Sequence, residues 1–154
     1  MALRIIAKEG DECLRKVAKP VTNFDSKLWE LLDDMAETME AANGVGLASP
    51  QVSVLRRVVI IDIGEGIIEL INPTIIAQGG SVEDNEGCLS FPGQYGIVAR
   101  PEKVTARAQD RNGKEIIIEG EGLLARAICH ELDHLDGVIF KDLASRMCTP
   151  EELE

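Results

Sequence analysis

The segment from Leu123 to Leu135 constrains the fold most, because it is nearly all apolar and yet carries both histidines of the chain. His130 and His134 are four residues apart with Glu131 between them, which matches the H-E-x-x-H pattern. On an α-helix this spacing places both imidazoles on one face, where they can bind one cation. A buried polar group without a hydrogen-bond partner or ligand destabilises the fold by about 1–3 kcal/mol, so two histidines on an apolar helix are expected to have a binding partner. The segment therefore predicts a mostly buried helix that holds a metal ion, with Glu131 as the catalytic base of a hydrolase.

A second helical pattern lies in the first third of the chain. From Asp25 to Asn43 the leucines and methionines recur every three or four residues, which is typical of an amphipathic helix. Asp25 or Ser26 can cap its first turn. A shorter helix is predicted from Asp11 to Val17, where a proline follows three residues later.

Residues 57–112 have a different texture, with β-branched runs separated by glycine and proline. Turn sequences at 64–66 and 111–113 fall between such runs, so neighbouring strands are expected to pair antiparallel as hairpins. The predicted fold class is α+β, with antiparallel β-sheets packed around the central buried helix and with an N-terminal helix. The predicted strands are Val58–Ile61, Ile67–Ile76, Val104–Ala108 and Lys114–Glu119.

Length and charge limit the organisation and the partners. A chain of 154 residues fits one domain, predicted to span 1–154, in which residues 149–154 form a frayed acidic tail. The formal charge of -11, from 16 basic and 27 acidic residues, would repel a phosphate backbone and an anionic membrane surface. Neither nucleic acid nor membrane is therefore an expected partner.

The N-terminal apolar run, between Met1 and Glu9, is too short and too soon interrupted by charge for a signal peptide. No later segment could span a bilayer, so the expected location is the cytoplasm. In that reducing compartment cysteines are expected as free thiols or metal ligands rather than disulfides. The four cysteines are Cys13, Cys88, Cys129 and Cys148.

A catalytic metal site needs a third protein ligand and an open position for water. A metzincin protease would carry its third histidine where Phe140 stands, and no helix follows that could supply a thermolysin-type glutamate. An upstream thiolate is the natural candidate. Cys129 would point about 100° away from the adjacent histidine on the helix. Cys88 follows a glycine that permits close backbone approach, but a lone cysteine is as readily a core residue, so these residues alone leave both interpretations open.

Three separated motifs occur in one order: Gly44–Gln51, Glu86–Ser90 and His130–His134. With them the chain resembles the peptide deformylases. The resemblance extends to Asp11–Arg15 and to the Pro20-Val21 pair, so it covers essentially the whole chain. The family implies an enzyme that removes the formyl group from the N-terminal formylmethionine of newly made bacterial or organellar proteins.

For the metal centre, the resemblance implies that Cys88, His130 and His134 bind one divalent cation, with water in the fourth position. It implies Fe2+ as the metal in the cell, with Zn2+, Ni2+ or Co2+ as substitutes, whereas ligand softness alone would have favoured zinc. In the implied mechanism Glu131 takes a proton from the metal-bound water, and the resulting hydroxide attacks the formyl carbonyl. The same Glu131 then protonates the departing amine.

The resemblance also assigns the side-chain amide of Gln51 and the backbone N–H of Leu89 to the negative charge that develops on the carbonyl oxygen. Glycines beside the metal are either ordinary turn residues or places where a peptide can add as an extra strand. Residues three, four and seven before His130 share its helix face and can help to enclose the methionine side chain. These candidates for substrate binding are Gly44, Val45, Gly46, Gly87, Leu123, Arg126 and Ala127.

Some alternatives and departures stay open at this point. Arg126 could belong to an exposed stripe with Asp133. Cys129 replaces the glutamine that is common in the family before the first histidine, and Ser49 replaces a smaller residue. The expected enzyme is a monomer in the bacterial cytoplasm that acts on N-formylmethionyl peptides or nascent chains. The rival hypotheses are a metallopeptidase on the same helix, and a non-catalytic protein in which Cys88, His130, His134 and a fourth ligand such as Cys129 close a structural zinc site.

Overall fold

The fold is described from a computed structural model that covers residues 2–153. Helix α1 spans Ser26–Ala41, and Asp25 caps it by accepting a hydrogen bond from the backbone N–H of Leu28 at 3.2 Å. The helix ends two residues before the predicted limit at Asn43. Its apolar face is buried, as the three- and four-residue spacing predicts. The buried apolar residues of α1 are Leu28, Leu31, Leu32, Met35 and Met39.

A five-stranded antiparallel sheet supplies the main platform, in the order β1-β2-β3-β6-β7. The predicted hairpins at 64–66 and 111–113 are confirmed, since β2 pairs with β3 and β6 pairs with β7. The predicted strands are found, with β3 extending further than expected. The strands of this sheet are β1 Gly46–Ala48, β2 Val58–Ile61, β3 Ile68–Gly79, β6 Lys103–Gln109 and β7 Glu115–Glu121.

Strand β2 is apolar throughout because both faces of the sheet are covered there. Val58 and Ile60 belong to the cluster that packs with α1. Val59 and Ile61 point to the other face, where they pack with the helix α2, Leu123–Leu135. The predicted helix over these residues is confirmed at both ends. The sheet therefore lies between α1 and the buried helix.

A second antiparallel sheet has three strands, in the order β4-β5-β8. It consists of β4 Val82–Cys88, β5 Phe91–Arg100 and β8 Arg146–Met147. No strand was predicted in these segments, because β4 is polar and mostly exposed and lacks the alternation of a half-buried strand. Pairing with β5 makes it a strand. Side chains of α2 bond to both β4 and β5, so α2 lies between the two sheets.

Short helical segments complete the chain. The helix predicted from Asp11 to Val17 is wrong in extent, since only a 3-10 helix forms at Glu12–Arg15, anchored by buried Leu14. Helix α3 spans Phe140–Leu143, and another 3-10 helix spans Ser49–Val52. In the predicted frayed tail, residues 149–153 are exposed and include a 3-10 helix at Pro150–Leu153, while Glu154 lies outside the described residues.

The described part of the chain holds no helix with the length and apolar character needed to cross a membrane.

Candidate active site and metal centre

The three expected metal ligands converge from two elements. Cys88 is the last residue of β4, while His130 and His134 lie one turn apart on α2. The Nε2 atom of His134 is 3.3 Å from the Cys88 Sγ and 3.2 Å from the His130 Nε2. Ligand atoms that share one tetrahedral cation at bond lengths of about 2.0–2.3 Å lie about 3.3–3.6 Å apart. The spacing and the thiolate-imidazole chemistry therefore fit a single metal ion.

Burial prepares His134 for this task. Its side chain is almost fully enclosed, and this burial lowers the pKa of His134 to about 3. The neutral imidazole is the form that binds a metal, so the surroundings keep His134 ready as a ligand.

Cys129 takes no part in this group. Among the described residues the potential metal ligands that cluster are Cys88, His130 and His134. Cys129 is buried in the apolar cluster between α2 and the five-stranded sheet, where burial raises the pKa of its thiol. The structural zinc site closed by Cys129 is therefore not the arrangement that these residues form.

Glu131 lies beside the ligands in a water-poor position. Its Oε2 is 4.0 Å from the His130 Nε2, and its Oε1 is buried without a hydrogen-bond partner in the described part of the chain. Burial raises the pKa of Glu131 to about 7. An enclosed carboxylate with a free oxygen can accept a proton from a small molecule beside it, which is the property a general base requires.

Gln51 and Leu89 both line the cavity beside Cys88. Gln51 is buried in the 3-10 helix after β1, and its Nε2 donates to the Cys88 Sγ at 3.4 Å. Leu89 follows Cys88 directly, in the turn between β4 and β5. The two residues to which the family resemblance assigned one role therefore line the same cavity as Cys88.

Glu86 is a site residue that the sequence analysis did not single out. Its Oε2 lies 2.7 Å from the His130 Nδ1, and Arg100 donates to both carboxylate oxygens at 3.0 and 2.6 Å. Burial would raise the pKa of Glu86, but hydrogen bonds from His130 and Arg100 outweigh it and lower the pKa to about 2. A metal-binding histidine usually donates its second N–H to a carboxylate or carbonyl. This rule, applied to the glutamate two residues before Cys88, could have predicted from the sequence that Glu86 bonds to a metal-binding histidine.

Arg126 joins the same network, so the alternative that it lies on an exposed stripe is wrong. Its side chain is only 11% exposed and donates to Glu86 Oε1 at 3.0 Å. It also donates to the backbone carbonyls of Val98 and Val82. Asp133, the other member of the supposed stripe, pairs with Arg100 at 2.6 Å. Arg126 therefore ties α2 to both long strands of the second sheet.

A cavity of about 520 Å³ opens onto the centre. It is lined by all seven residues predicted for substrate binding: Gly44, Val45, Gly46, Gly87, Leu123, Arg126 and Ala127. Gln51, Cys88, Leu89, His130 and Glu131 also face it, whereas His134 is not among its lining residues. The N-terminal segment and β5 add walls that local patterns did not reveal, namely Ile6, Lys8, Phe91, Pro92 and Tyr95.

Two of the lining glycines are needed for close packing rather than for turns. A Cβ on Gly44 would lie 2.6 Å from the Cδ1 of Leu89, and one on Gly87 would lie 2.5 Å from the Cε1 of Tyr95. Neither glycine has a positive φ. The absence of a side chain at Gly44 and Gly87 therefore lets Leu89 and Tyr95 pack directly against the backbone of the cavity wall.

An α+β fold with a buried H-E-x-x-H helix, a cysteine that converges on its histidines and an enclosed free carboxylate defines a metal-dependent hydrolase. The sequence model of the polypeptide deformylase family matches residues 3–149, and the chain belongs to that family. The enzyme is thus a hydrolase that acts on N-formylmethionine peptides, as the three motifs led us to expect.

Similar proteins agree with this assignment over the full length. The chain is 58% identical to the peptide deformylase of Caldicellulosiruptor bescii, over 100% of this chain and 93% of that protein. It is 56% identical to the peptide deformylase of Acetivibrio thermocellus, over 100% of this chain and 91% of that protein. The crystal structure of a peptide deformylase from Legionella pneumophila has a TM-score of 0.90 at 47% identity, covering 97% of this chain and 88% of that one. The crystal structure of the Thermotoga maritima peptide deformylase has a TM-score of 0.91 at 40% sequence identity, and the match covers 93% of this chain and 98% of that one.

Proposed function

We propose that this enzyme deformylates N-formylmethionyl nascent chains at the centre formed by Cys88, His130 and His134, with Glu131 as general base and acid. One observation carries the proposal. A buried carboxylate with a free oxygen lies beside the converging side chains of Cys88, His130 and His134, and Glu131, Cys88 and His130 line one cavity. We further propose that the chain acts as a monomer in the bacterial cytoplasm and folds as one catalytic domain.

Cys88, His130 and His134 would hold one divalent cation, which we propose is Fe2+ in the cell, with Zn2+, Ni2+ or Co2+ able to replace it. When bound, the cation supplies Lewis-acid chemistry, which polarises the formyl carbonyl and lowers the pKa of water. Glu86 would support this ligand set by accepting a hydrogen bond from the Nδ1–H of His130, which leaves the Nε2 lone pair free for the metal.

Side chains and backbone of the protein then transfer the proton of the attacking water and stabilise the negative charge on the formyl oxygen. Glu131 accepts a proton from the attacking water and gives it to the departing amine nitrogen, which leaves formate and a free N-terminus. The backbone N–H of Leu89 and the Nε2 of Gln51 stabilise the negative charge that develops on the formyl oxygen. Losing one such donor typically costs about 10²–10³ in kcat.

Two open sheet edges explain how a peptide is held. Strand β1 is at the edge of the five-stranded sheet and β4 is at the edge of the three-stranded sheet. Both edges face the cavity, through Gly46 and Gly87. An extended peptide can pair with exposed strand backbone without any requirement on its own side chains. The methionine side chain then lies against the wall formed by Val45, Leu123, Ala127 and the aliphatic stem of Arg126.

The test combines metal analysis with a formyl-peptide assay on anaerobically purified protein. Glu131→Ala should keep about one metal per chain and lose roughly 10²–10⁴ of turnover, because it removes the base and leaves the ligands. Cys88→Ala should lose the metal. Cys129→Ala is the matched control, a cysteine beside the site that should keep both metal and turnover. Full activity in Glu131→Ala would refute the mechanism, and cleavage of unformylated peptides would indicate a peptidase instead.

A further inference from the structure

Ser90 is a buried polar residue that none of the steps above uses. It is 0% exposed and follows Leu89 in the tight turn that joins β4 to β5. Its Oγ accepts a hydrogen bond from the Nε2 of Gln51 at 3.1 Å. A buried hydroxyl whose recorded side-chain partner is the amide expected to stabilise the reacting oxygen is placed to influence that amide.

The amide of Gln51 is fixed at both ends. Its Oε1 accepts from the backbone N–H of Ala48 at 2.9 Å, which sets which end is oxygen and which is nitrogen. The Nε2 then carries two hydrogens, one directed to the Ser90 Oγ and the other to the Cys88 Sγ. The sulfur contact, at 3.4 Å, is the longer of the two and lies on the cavity side.

We infer that Ser90 is a positioning residue for deformylation, which holds the Gln51 amide so that its second N–H, directed here to the Cys88 Sγ, stays on the cavity side where the reacting carbonyl binds. The inference rests on the proposed role of Gln51. Without the Ser90 hydroxyl the amide keeps its Ala48 contact and the longer contact with the Cys88 Sγ, so its Nε2 end is held less firmly. A donor that must be aligned during the reaction stabilises the transition state less than one held in place beforehand.

The test is a double-mutant cycle in kcat, with wild type, Ser90→Ala, Gln51→Ala and the double variant. Ser90→Ala should lower kcat about tenfold, a part of the 10²–10³ expected for a missing donor, and leave KM within about twofold. In the Gln51→Ala background it should have no further effect, because a residue that acts through Gln51 has nothing left to position. Thr38→Val is the control, since Thr38 is a buried hydroxyl that accepts one hydrogen bond, from the Arg4 N–H at 2.9 Å. It should leave kcat unchanged.

A second measurement does not depend on turnover. In cobalt-loaded protein the Cys88 thiolate gives a charge-transfer band that reports the hydrogen bond from Gln51, so Ser90→Ala and Gln51→Ala should shift it in the same direction. If Gln51→Ala is impaired while Ser90→Ala has wild-type kcat, or if the two losses multiply, Ser90 has no positioning role and the role of Gln51 stands. Unchanged kcat in Gln51→Ala would overturn both.

Discussion

The carboxylate of Glu131 packs directly against the backbone of Gly46. A Cβ built on Gly46 would lie 2.5 Å from the Oε2 of Glu131 and 2.9 Å from its Cδ. Gly46 belongs to β1 and has no positive φ, so backbone conformation does not require a glycine there. The space for the proposed base requires it.

We therefore predict that Gly46→Ala folds but loses activity. The methyl group would push the end of the Glu131 side chain aside, and a displacement of about 1 Å at a reacting group can cost roughly 10²-fold in rate. Metal content should stay near wild type, because the ligands are not touched. Gly79→Ala is the control, since a Cβ there meets no atom within 4 Å. A Gly46→Ala variant with wild-type kcat would show that Glu131 is not held in its working position by this contact.

The ion pairs around Glu86 lead to a prediction about metal affinity. Glu86→Gln should weaken binding of Zn2+ or Co2+ about 10–100-fold, because the carboxylate that orients His130 becomes a neutral amide. It should also destabilise the fold, since Arg100 and Arg126 lose their buried charge partner. Competition with a chelator measures the affinity. Glu69→Gln, at another carboxylate paired with an arginine, Arg111, should leave the affinity unchanged. Equal affinities in the two variants would rule out the orienting role.

Asp34 supplies a pH-dependent part of the stability away from the site. The backbone N–H of Ala2 donates a hydrogen bond to the Asp34 carboxylate at 2.7 Å, and the Arg4 guanidinium lies 2.9 Å from it. The Ala2 hydrogen bond lowers the pKa of Asp34 most, and Arg4 lowers it further. Burial acts in the opposite direction but is outweighed. A depressed carboxyl pKa stabilises the fold above the unfolded value, about 3.9, and this contribution is lost as pH falls through the folded value.

Asp34→Asn should accordingly lower the free energy of unfolding by about 1–3 kcal/mol at pH 7. The difference from wild type should shrink once the pH falls below about 4, where the carboxyl of the unfolded wild-type chain becomes protonated, and should disappear below the lower pKa of the folded state. Urea unfolding at several pH values measures it. The neighbouring Asp33, whose side chain is 40% exposed, is the control, and Asp33→Asn should change stability much less. A pH-independent difference for Asp34→Asn would contradict the assignment.

Local patterns predicted the elements in which one face is buried and the period is regular. Helix α2 has the predicted limits, and the antiparallel hairpins follow from their turn residues. The same reasoning did not find β4, whose exposed acidic and amide residues resemble a loop. It also did not find the wall formed by the N-terminal Ile6 and Lys8.

The sequence by itself determined the pair of imidazoles on one face of α2, because residues four apart on a helix are neighbours in any fold that contains it. Only the tertiary structure decided what surrounds them. Glu86 is 44 residues from His130, and Gly46 meets Glu131 only because β1 and α2 pack together. Such contacts depend on how distant elements pack, which no local spacing encodes. The sequence thus contains the proposed ligands, and the packing of two sheets around one helix sets the position of the proposed base and of the Glu86 carboxylate that bonds to His130.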